Sequence, residues 1–240
     1  MDQVQQELVD SLWVGFVDSS SQHDVRLAPR ILCNDAQAHT DVLSVLKTQL
    51  DTCTSFDFAV AFITESGIQT IIQLLLSLRD RNVPGRIITT TFNNFNDPAA
   101  LLKLLEFPNI KVRVFEGNMH TKGYFFKKEQ VNTLIIGSAN LTQSALCVNR
   151  EWSVLLNSCE DGAVNQAARR EFQALWDTDE TVELSPEWVE RYGAYRSRLF
   201  ENAPVRRFVR PFVSERHVAA PNFQAGQLTV EYQAPPQQAA

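Results

Sequence analysis

The sequence contains no G-x-x-x-x-G-K-[ST] stretch, which excludes a nucleoside-triphosphatase site of the phosphate-loop kind. Cysteine is scarce. The four present, Cys33, Cys53, Cys147 and Cys159, form no C-x-x-C pair and none sits beside a histidine at zinc-ligand spacing. That excludes the common zinc modules and leaves free thiols in a reducing compartment as the expectation. Long apolar runs are also missing. The longest, Ile71 to Leu78, is interrupted by Gln73 and Ser77 and is far short of the ~20 residues that span a bilayer. The opening residues, MDQVQQELVD, are polar and acidic, unlike a secretory leader, so a cytoplasmic location without a membrane partner is expected. Positive charge is outnumbered, with 22 Lys and Arg against 28 Asp and Glu and a net charge of −6. No basic field covers the whole chain, although a local basic groove remains compatible with this balance. No zinc finger or clear helix-turn-helix offers a means of reading a base sequence.

What is present is ample core material. Of 240 residues, 44% are hydrophobic and 15 are Phe, enough for one sizeable core. After a polar lead-in over residues 1–30 with a short apolar element, Leu12 to Val17, the spacing of Val42, Val45, Leu46 and Leu50 predicts a helix over 39–51. Phe56 to Ile63 is a near-continuous apolar run suited to a strand covered on both faces. Thr64 to Gly67 caps a helix running to about Arg81, and Asn82-Val83-Pro84-Gly85 is a turn before the strand Arg86 to Thr91. Asp97 and Pro98 are the N-cap and first residue of the next helix. Ile110 to Phe115, Lys122 to Lys127, Thr133 to Gly137 and Glu151 to Leu156 read as strands. Ser144 to Leu146 starts a short turn or helix, and Ala163 to Trp176 and Pro186 to Leu199 read as helices. Alternating strands and helices followed by strand-rich sequence predict an α/β fold with a mostly parallel or mixed sheet between helices. Residues 203–240, rich in proline and arginine and ending in PPQQAA, read as a flexible linker or tail.

The chemistry concentrates in MHTKGYFF, NTLIIGSANLTQSAL and NREW. His120 and Lys122 stand two apart on a predicted strand, so imidazole and ammonium project from one face. Gly137-Ser138-Ala139-Asn140 follows the next apolar strand, where a tight turn presents a hydroxyl, an amide and backbone N–H groups. Phosphodiester cleavage needs a nucleophile, donors for the phosphoryl oxygens and an acid for the leaving oxygen. His120 suits the nucleophile if its second ring nitrogen is held, and Glu151 is the candidate acceptor that fixes the tautomer. Lys122, Asn140 and Ser138 are the candidate phosphate ligands. No cluster of Asp or Glu suited to magnesium neighbours them, so neither a metal nor another cofactor is expected.

These residues resemble the phospholipase D-like (HKD) superfamily, whose motif is H-x-K, an Asp further along, and then G-S-x-N. Lys127 stands where the family Asp belongs. The sequence is similar to one sub-pattern: the metal-independent restriction endonucleases of this superfamily and the domains attached to bacterial DEAD/DEAH-type helicases. There a Glu follows the Asn by eleven residues, as Glu151 follows Asn140 here. FDFAVAFIT, GRIITTTF, HTKGYFF, IIGSANLTQSAL and NREWSV carry the likeness, over roughly residues 10–200. The resemblance implies a phospholipase D-like α/β/α domain over 1–202 with one motif copy. It implies metal-independent cleavage of DNA through a covalent phosphohistidine on His120, and a homodimer in which a second His120 protonates the leaving group. A helicase domain or subunit is a further implied partner. Pro221-Asn222-Phe223-Gln224 is similar to the segment leading into the motor in those helicase fusions.

Two other classes stay open. A phospholipase or phosphatidyltransferase would use the same groups, and an inactive nucleic-acid-binding or dimerisation module would account for the replaced Asp. Outside the constellation, His23, His39 and His217 lack supporting neighbours. Glu116 and Glu129 read as surface charges, Trp152 as core packing that anchors Glu151, and Thr142 and Ser144 as caps of the following turn. Lys127 and Lys128 read as a solvated strand end, with contact to a nucleic-acid backbone as the alternative.

Overall fold

The computed structural model describes residues 2–21 and 26–201. His23, His217 and the expected tail, including Pro221 to Gln224, lie outside these residues. Eight strands form one sheet: β1 (Arg30–Leu32), β2 (Ser55–Val60), β3 (Gly85–Thr90), β4 (Ile110–Phe115), β5 (Lys122–Lys127), β6 (Asn132–Gly137), β7 (Ser153–Ser158) and β8 (Thr181–Glu183). Their order is β1-β7-β6-β5-β2-β3-β4-β8. Among these eight strands, β2, β3 and β4 pair in parallel and the other strand pairs are antiparallel. The sheet is therefore mixed, with its switch where β5 pairs antiparallel to β2, Val60 opposite Lys122.

Period-two alternation separates the two faces. Phe56, Phe58, Ile87, Tyr124, Phe126, Ile135 and Leu155 enter the main core. Helices α2 (Val42–Thr52) and α3 (Glu65–Asp80) cover that face with Leu46, Leu50, Ile68, Ile71, Leu75 and Leu78. The rings of Phe58 and Tyr124 meet edge-on at 4.9 Å. Helices α4 (Pro98–Leu104) and α6 (Pro186–Glu201) join the same core through Leu101, Leu104, Val189 and Tyr192. The opposite face is covered by one helix, α5 (Ala163–Asp177), whose Phe172 and Trp176 pack on Ala59 and Ile88. Arg86 and Arg113 also stand there and are accommodated as cations over the Phe172 and Trp176 rings. Ile31 and Ile136 are left exposed towards the β1–β7–β6 end.

The caps follow the sequence rules. Thr64 accepts from the Gly67 N–H at 3.1 Å, and Pro98 opens α4. Asp97 is the N-cap by position, but its carboxylate accepts from the Glu65 N–H at 3.1 Å and pairs with Arg196, tying α4 to α3 and α6. Several expectations need correction. The lead-in is helical: α1 spans Gln3–Phe16, started by a reciprocal capping box of Asp2 and Gln5. The edge strands β1 and β8 are three residues each, too short for alternation to register. Strand β7 begins at Ser153, after Glu151, and β5 begins at Lys122, after His120. Glu116 is only 7% exposed and accepts from the Trp188 indole N–H at 2.8 Å, so it is an internal acceptor and not a surface charge.

Candidate active site

The sequence motifs meet at one end of the sheet, where β2 leaves and β5 enters at the switch. Lys122 is 6% exposed, with its Nζ donating to the His120 carbonyl at 2.7 Å and lying 5.6 Å from the centre of the Phe62 ring. This hydrogen bond links the ammonium to the backbone that carries the imidazole. Burial depresses the Lys122 pKa to about 8, and the Glu151 charge opposes that shift. The His120 pKa is also lowered, first by desolvation and then by the positive charge of Lys122. The neutral imidazole, the form that can act as a nucleophile, is favoured accordingly.

The G-S-A-N turn closes the second side. Gly137 has a local steric reason: a Cβ there would lie 2.4 Å from both the Trp152 carbonyl oxygen and the Ser153 Cα. Behind the turn, the buried Tyr124 hydroxyl donates to the Ala139 carbonyl at 2.9 Å. The Asn140 Oδ1 accepts from the Phe62 N–H at 3.1 Å. Because that donor can only be answered by the amide oxygen, the Asn140 Nδ2 is the group left available for a phosphoryl oxygen. The next residue continues the clamp, with the Leu141 N–H donating to the Phe62 carbonyl at 3.1 Å. Gly67 lets α3 press against this same backbone, since a Cβ would lie 2.1 Å from the Leu141 carbonyl oxygen.

Ser138 and Glu151 form a pair of their own. The Ser138 hydroxyl donates to the Glu151 carboxylate and accepts from the Trp152 N–H at 3.0 Å. Its one hydrogen is thus engaged by Glu151. The expected hydrogen bond between Glu151 and the His120 ring is not made, and the ring has no hydrogen-bond partner among the described residues. Trp152, expected in the core, is 72% exposed, and it is its backbone that serves the site. Thr142 caps the following turn as expected, accepting from the Ala145 N–H at 3.2 Å.

Sequence reasoning missed the aromatic surroundings. The His120 ring lies 5.6 Å from Phe62 and 5.7 Å from Phe92, edge-to-face with both. Phe62 ends an apolar run and Phe92 follows a β-branched strand, so composition alone did not separate them from core residues.

Lys127, at the family's Asp position, stands at the far end of β5, five residues and roughly 17 Å from Lys122 at strand spacing. It pairs with Glu160 at 4.0 Å. The departure from the motif therefore lies away from the constellation. A cleft at that distant end, bordered by Asp57, Arg86, Lys127 and Arg169, has its charges already matched, with Arg86 and Asp57 paired at 2.7 Å. Among the described residues no three His, Cys, Asp or Glu side chains cluster as metal ligands, and no helix is long and apolar enough to cross a membrane.

Comparison with known proteins agrees with this geometry. Residues 46–176, more than half of the chain, match the family model described as cardiolipin synthase, PLD-like domain. NucT from Helicobacter pylori superimposes with a TM-score of 0.53 at 19% identity, covering 65% of this chain and 98% of its own. Nuc from Salmonella typhimurium, a phospholipase D family member, gives 0.50 at 18% identity over 65% of this chain and 98% of its own. Phosphatidylserine synthase from Haemophilus influenzae also gives a TM-score of 0.50, at 13% identity, over 74% of this chain and 47% of its own. No curated protein sequence matches the chain. The mixed sheet, the order of motifs along it and the family model together assign the chain to the phospholipase D-like family.

Proposed function

We propose that this chain is a metal-independent phosphodiesterase that cleaves DNA as a homodimer, with His120 as the nucleophile. The observation that supports this best is the cluster itself. An imidazole that has no hydrogen-bond partner among the described residues stands beside a buried ammonium and an amide whose Nδ2 has none among them either. In the first step a His120 ring nitrogen attacks phosphorus, forming an N–P bond as the P–O bond to the leaving group breaks. The leaving alkoxide takes a proton from His120 of the partner subunit. In the second step that histidine removes a proton from water, the hydroxide attacks phosphorus, and the N–P bond breaks to restore His120. Lys122 and Asn140 hold the phosphoryl oxygens through both steps, where electrostatic stabilisation is the largest contribution. Glu151, oriented by Ser138, is the candidate acceptor for an imidazolium brought to the dimer axis. Trp152 and Ile136 flank the constellation as exposed apolar residues and are the candidate contact between subunits.

DNA is favoured by the sub-pattern of Glu151 eleven residues after Asn140 and by the phrases around it. A phosphatidyl group would use the same donors, so the substrate must be tested directly. The experiment follows hydrolysis of single- and double-stranded DNA, bis-p-nitrophenyl phosphate and phosphatidylglycerol vesicles in excess EDTA, with wild type beside His120→Ala. Cleavage of DNA in EDTA is expected, falling at least about 100-fold in the variant. A denaturing quench is expected to trap a phospho-protein that is acid-labile and alkali-stable. Preference for the vesicles would replace DNA by lipid, and failure to cleave any diester would overturn the enzymatic reading.

A further inference from the structure

His120 is exposed, and its ring has no hydrogen-bond partner among the described residues. An imidazole so placed would ordinarily turn among several rotamers. Here two phenylalanine rings stand against it. The His120 ring centre lies 5.6 Å from that of Phe62 and 5.7 Å from that of Phe92, with interplanar angles of 62° and 64°. The two phenyl rings are themselves parallel within 5°, with centres 6.4 Å apart. The imidazole is thus almost equidistant from both and tilted almost equally to both. Aromatic pairs prefer such edge-to-face arrangements, and turning the imidazole away would lose two of them at once.

Both phenyl rings are fixed by the backbone that builds the site. The Phe62 N–H donates to the Asn140 Oδ1, and the Phe62 carbonyl accepts from the Leu141 N–H, each at 3.1 Å. The Ala61 N–H donates to the Thr121 carbonyl at 3.0 Å, which ties the residue before Phe62 to the residue after His120. Buried Thr90 does the equivalent for Phe92. Its hydroxyl accepts from the Phe92 N–H at 3.1 Å and donates to the Gly117 carbonyl at 2.6 Å. One side chain therefore fastens the second ring to the loop that leads into His120.

We propose that Phe62 and Phe92 are positioning residues that brace the His120 ring for attack on phosphorus, in place of a hydrogen-bonded acceptor. This rests on the phosphodiesterase reading above and deepens it. A nucleophile reacts fast only when it is held close to its attack geometry. A carboxylate accepting from the ring would also hold it, but its charge would favour the protonated form, which cannot attack. Two apolar rings hold the imidazole while keeping water from it. The lowered His120 pKa agrees with this, since desolvation is its first cause. Of the charged groups, Lys122 adds to that lowering, and Glu151 acts on Lys122.

The test uses the full chain with isotope-labelled histidine. Phe92→Leu keeps apolar bulk without a ring, and Phe92→Tyr keeps the ring. Phe92 is the cleaner probe, because Phe62 also faces the Lys122 ammonium. The His120 ring signals are identified in NMR spectra by their loss in His120→Ala. Ring currents are expected to displace them in wild type and Phe92→Tyr, and they should move towards free-histidine positions in Phe92→Leu. With bis-p-nitrophenyl phosphate in EDTA, kcat should fall about tenfold in Phe92→Leu while KM changes by less than about threefold. Phe92→Tyr should stay within about threefold of wild type in both. A melting curve for each variant confirms folding, and Phe92→Met stands in if Phe92→Leu does not fold. His120 signals unmoved in Phe92→Leu, or an unchanged kcat, overturn the brace. A raised KM at constant kcat would make Phe92 a substrate contact and overturns it as well. The NMR arm needs no turnover, so it judges the brace even if wild type hydrolyses no diester, an outcome that overturns the phosphodiesterase reading.

Discussion

In the proposed role Lys122 must stay charged to hold a phosphoryl oxygen, yet its burial favours the neutral amine. The consequence is a pH profile. Below the depressed His120 pKa the ring is protonated and cannot attack, so kcat/KM should rise through a value under 6.5. Above about 8 Lys122 loses its proton, so kcat/KM should fall. Lys122→Arg keeps its charge at any accessible pH, and its profile should lose the alkaline limb while the plateau drops. Nitrophenolate leaves without a proton, so with bis-p-nitrophenyl phosphate the partner's His120 is not needed as an acid, and a steady-state kcat/KM profile from pH 5 to 10 reads both limbs. At the other end of the strand, Lys127→Asp restores the family residue. Hydrolysis of the same diester should change by less than about threefold, because Lys127 touches Glu160 and not the site. At this scale the sequence was most informative where spacing encodes chemistry. His120, Lys122, Ser138, Asn140 and Glu151 were all readable as a constellation. Phe62 and Phe92 were not, because an aromatic beside a polar site and one in a core follow the same apolar patterns.

Among the elements, α3 positions the site most directly, since its first turn meets the Leu141 backbone where Gly67 leaves room. Gly67→Ala would force that contact apart. A destabilisation of about 1–3 kcal/mol is expected, seen as a lower melting temperature, together with reduced diester hydrolysis as Asn140 shifts with its neighbour. If the variant melts like wild type with unchanged activity, the coupling of α3 to Asn140 is absent. Most elements were legible because periodicity, caps and turns agreed: Thr64 before α3, Asn82 to Gly85 before β3, and Pro98 at the start of α4. Helix α1 was not, although Asp2 and Gln5 announced its start. Its apolar residues Val9, Leu12, Trp13 and Phe16 follow helical spacing but are largely exposed, and as a block of apolar sequence only Leu12 to Val17 stands out. The three-residue β1 and β8 owe their existence to the strands beside them and not to their own composition.

For the whole molecule, one motif copy per chain and exposed Trp152 beside the site make subunit association testable. Trp152→Glu should convert a dimer to a monomer in sedimentation equilibrium. DNA cleavage should be lost with it, by about 100-fold or more if the partner's histidine supplies the proton. A monomeric wild type with full activity would sink the shared-site arrangement. The sheet order also bears on how the molecule is made. Strands β2, β3 and β4 form a parallel unit from residues 55–115, which the ribosome releases before β5, β6 and β7. Apart from Phe62 and Phe92, the groups of the site arrive only with residues 120–151, and they meet when β5 pairs back onto β2 across some sixty residues of chain. Closing so long a loop is slow compared with forming helices or joining neighbouring strands. During refolding from urea, helical signal should therefore return well before diester hydrolysis does. A nascent chain would stay chemically silent at least until Glu151 and the strand after it had been synthesised.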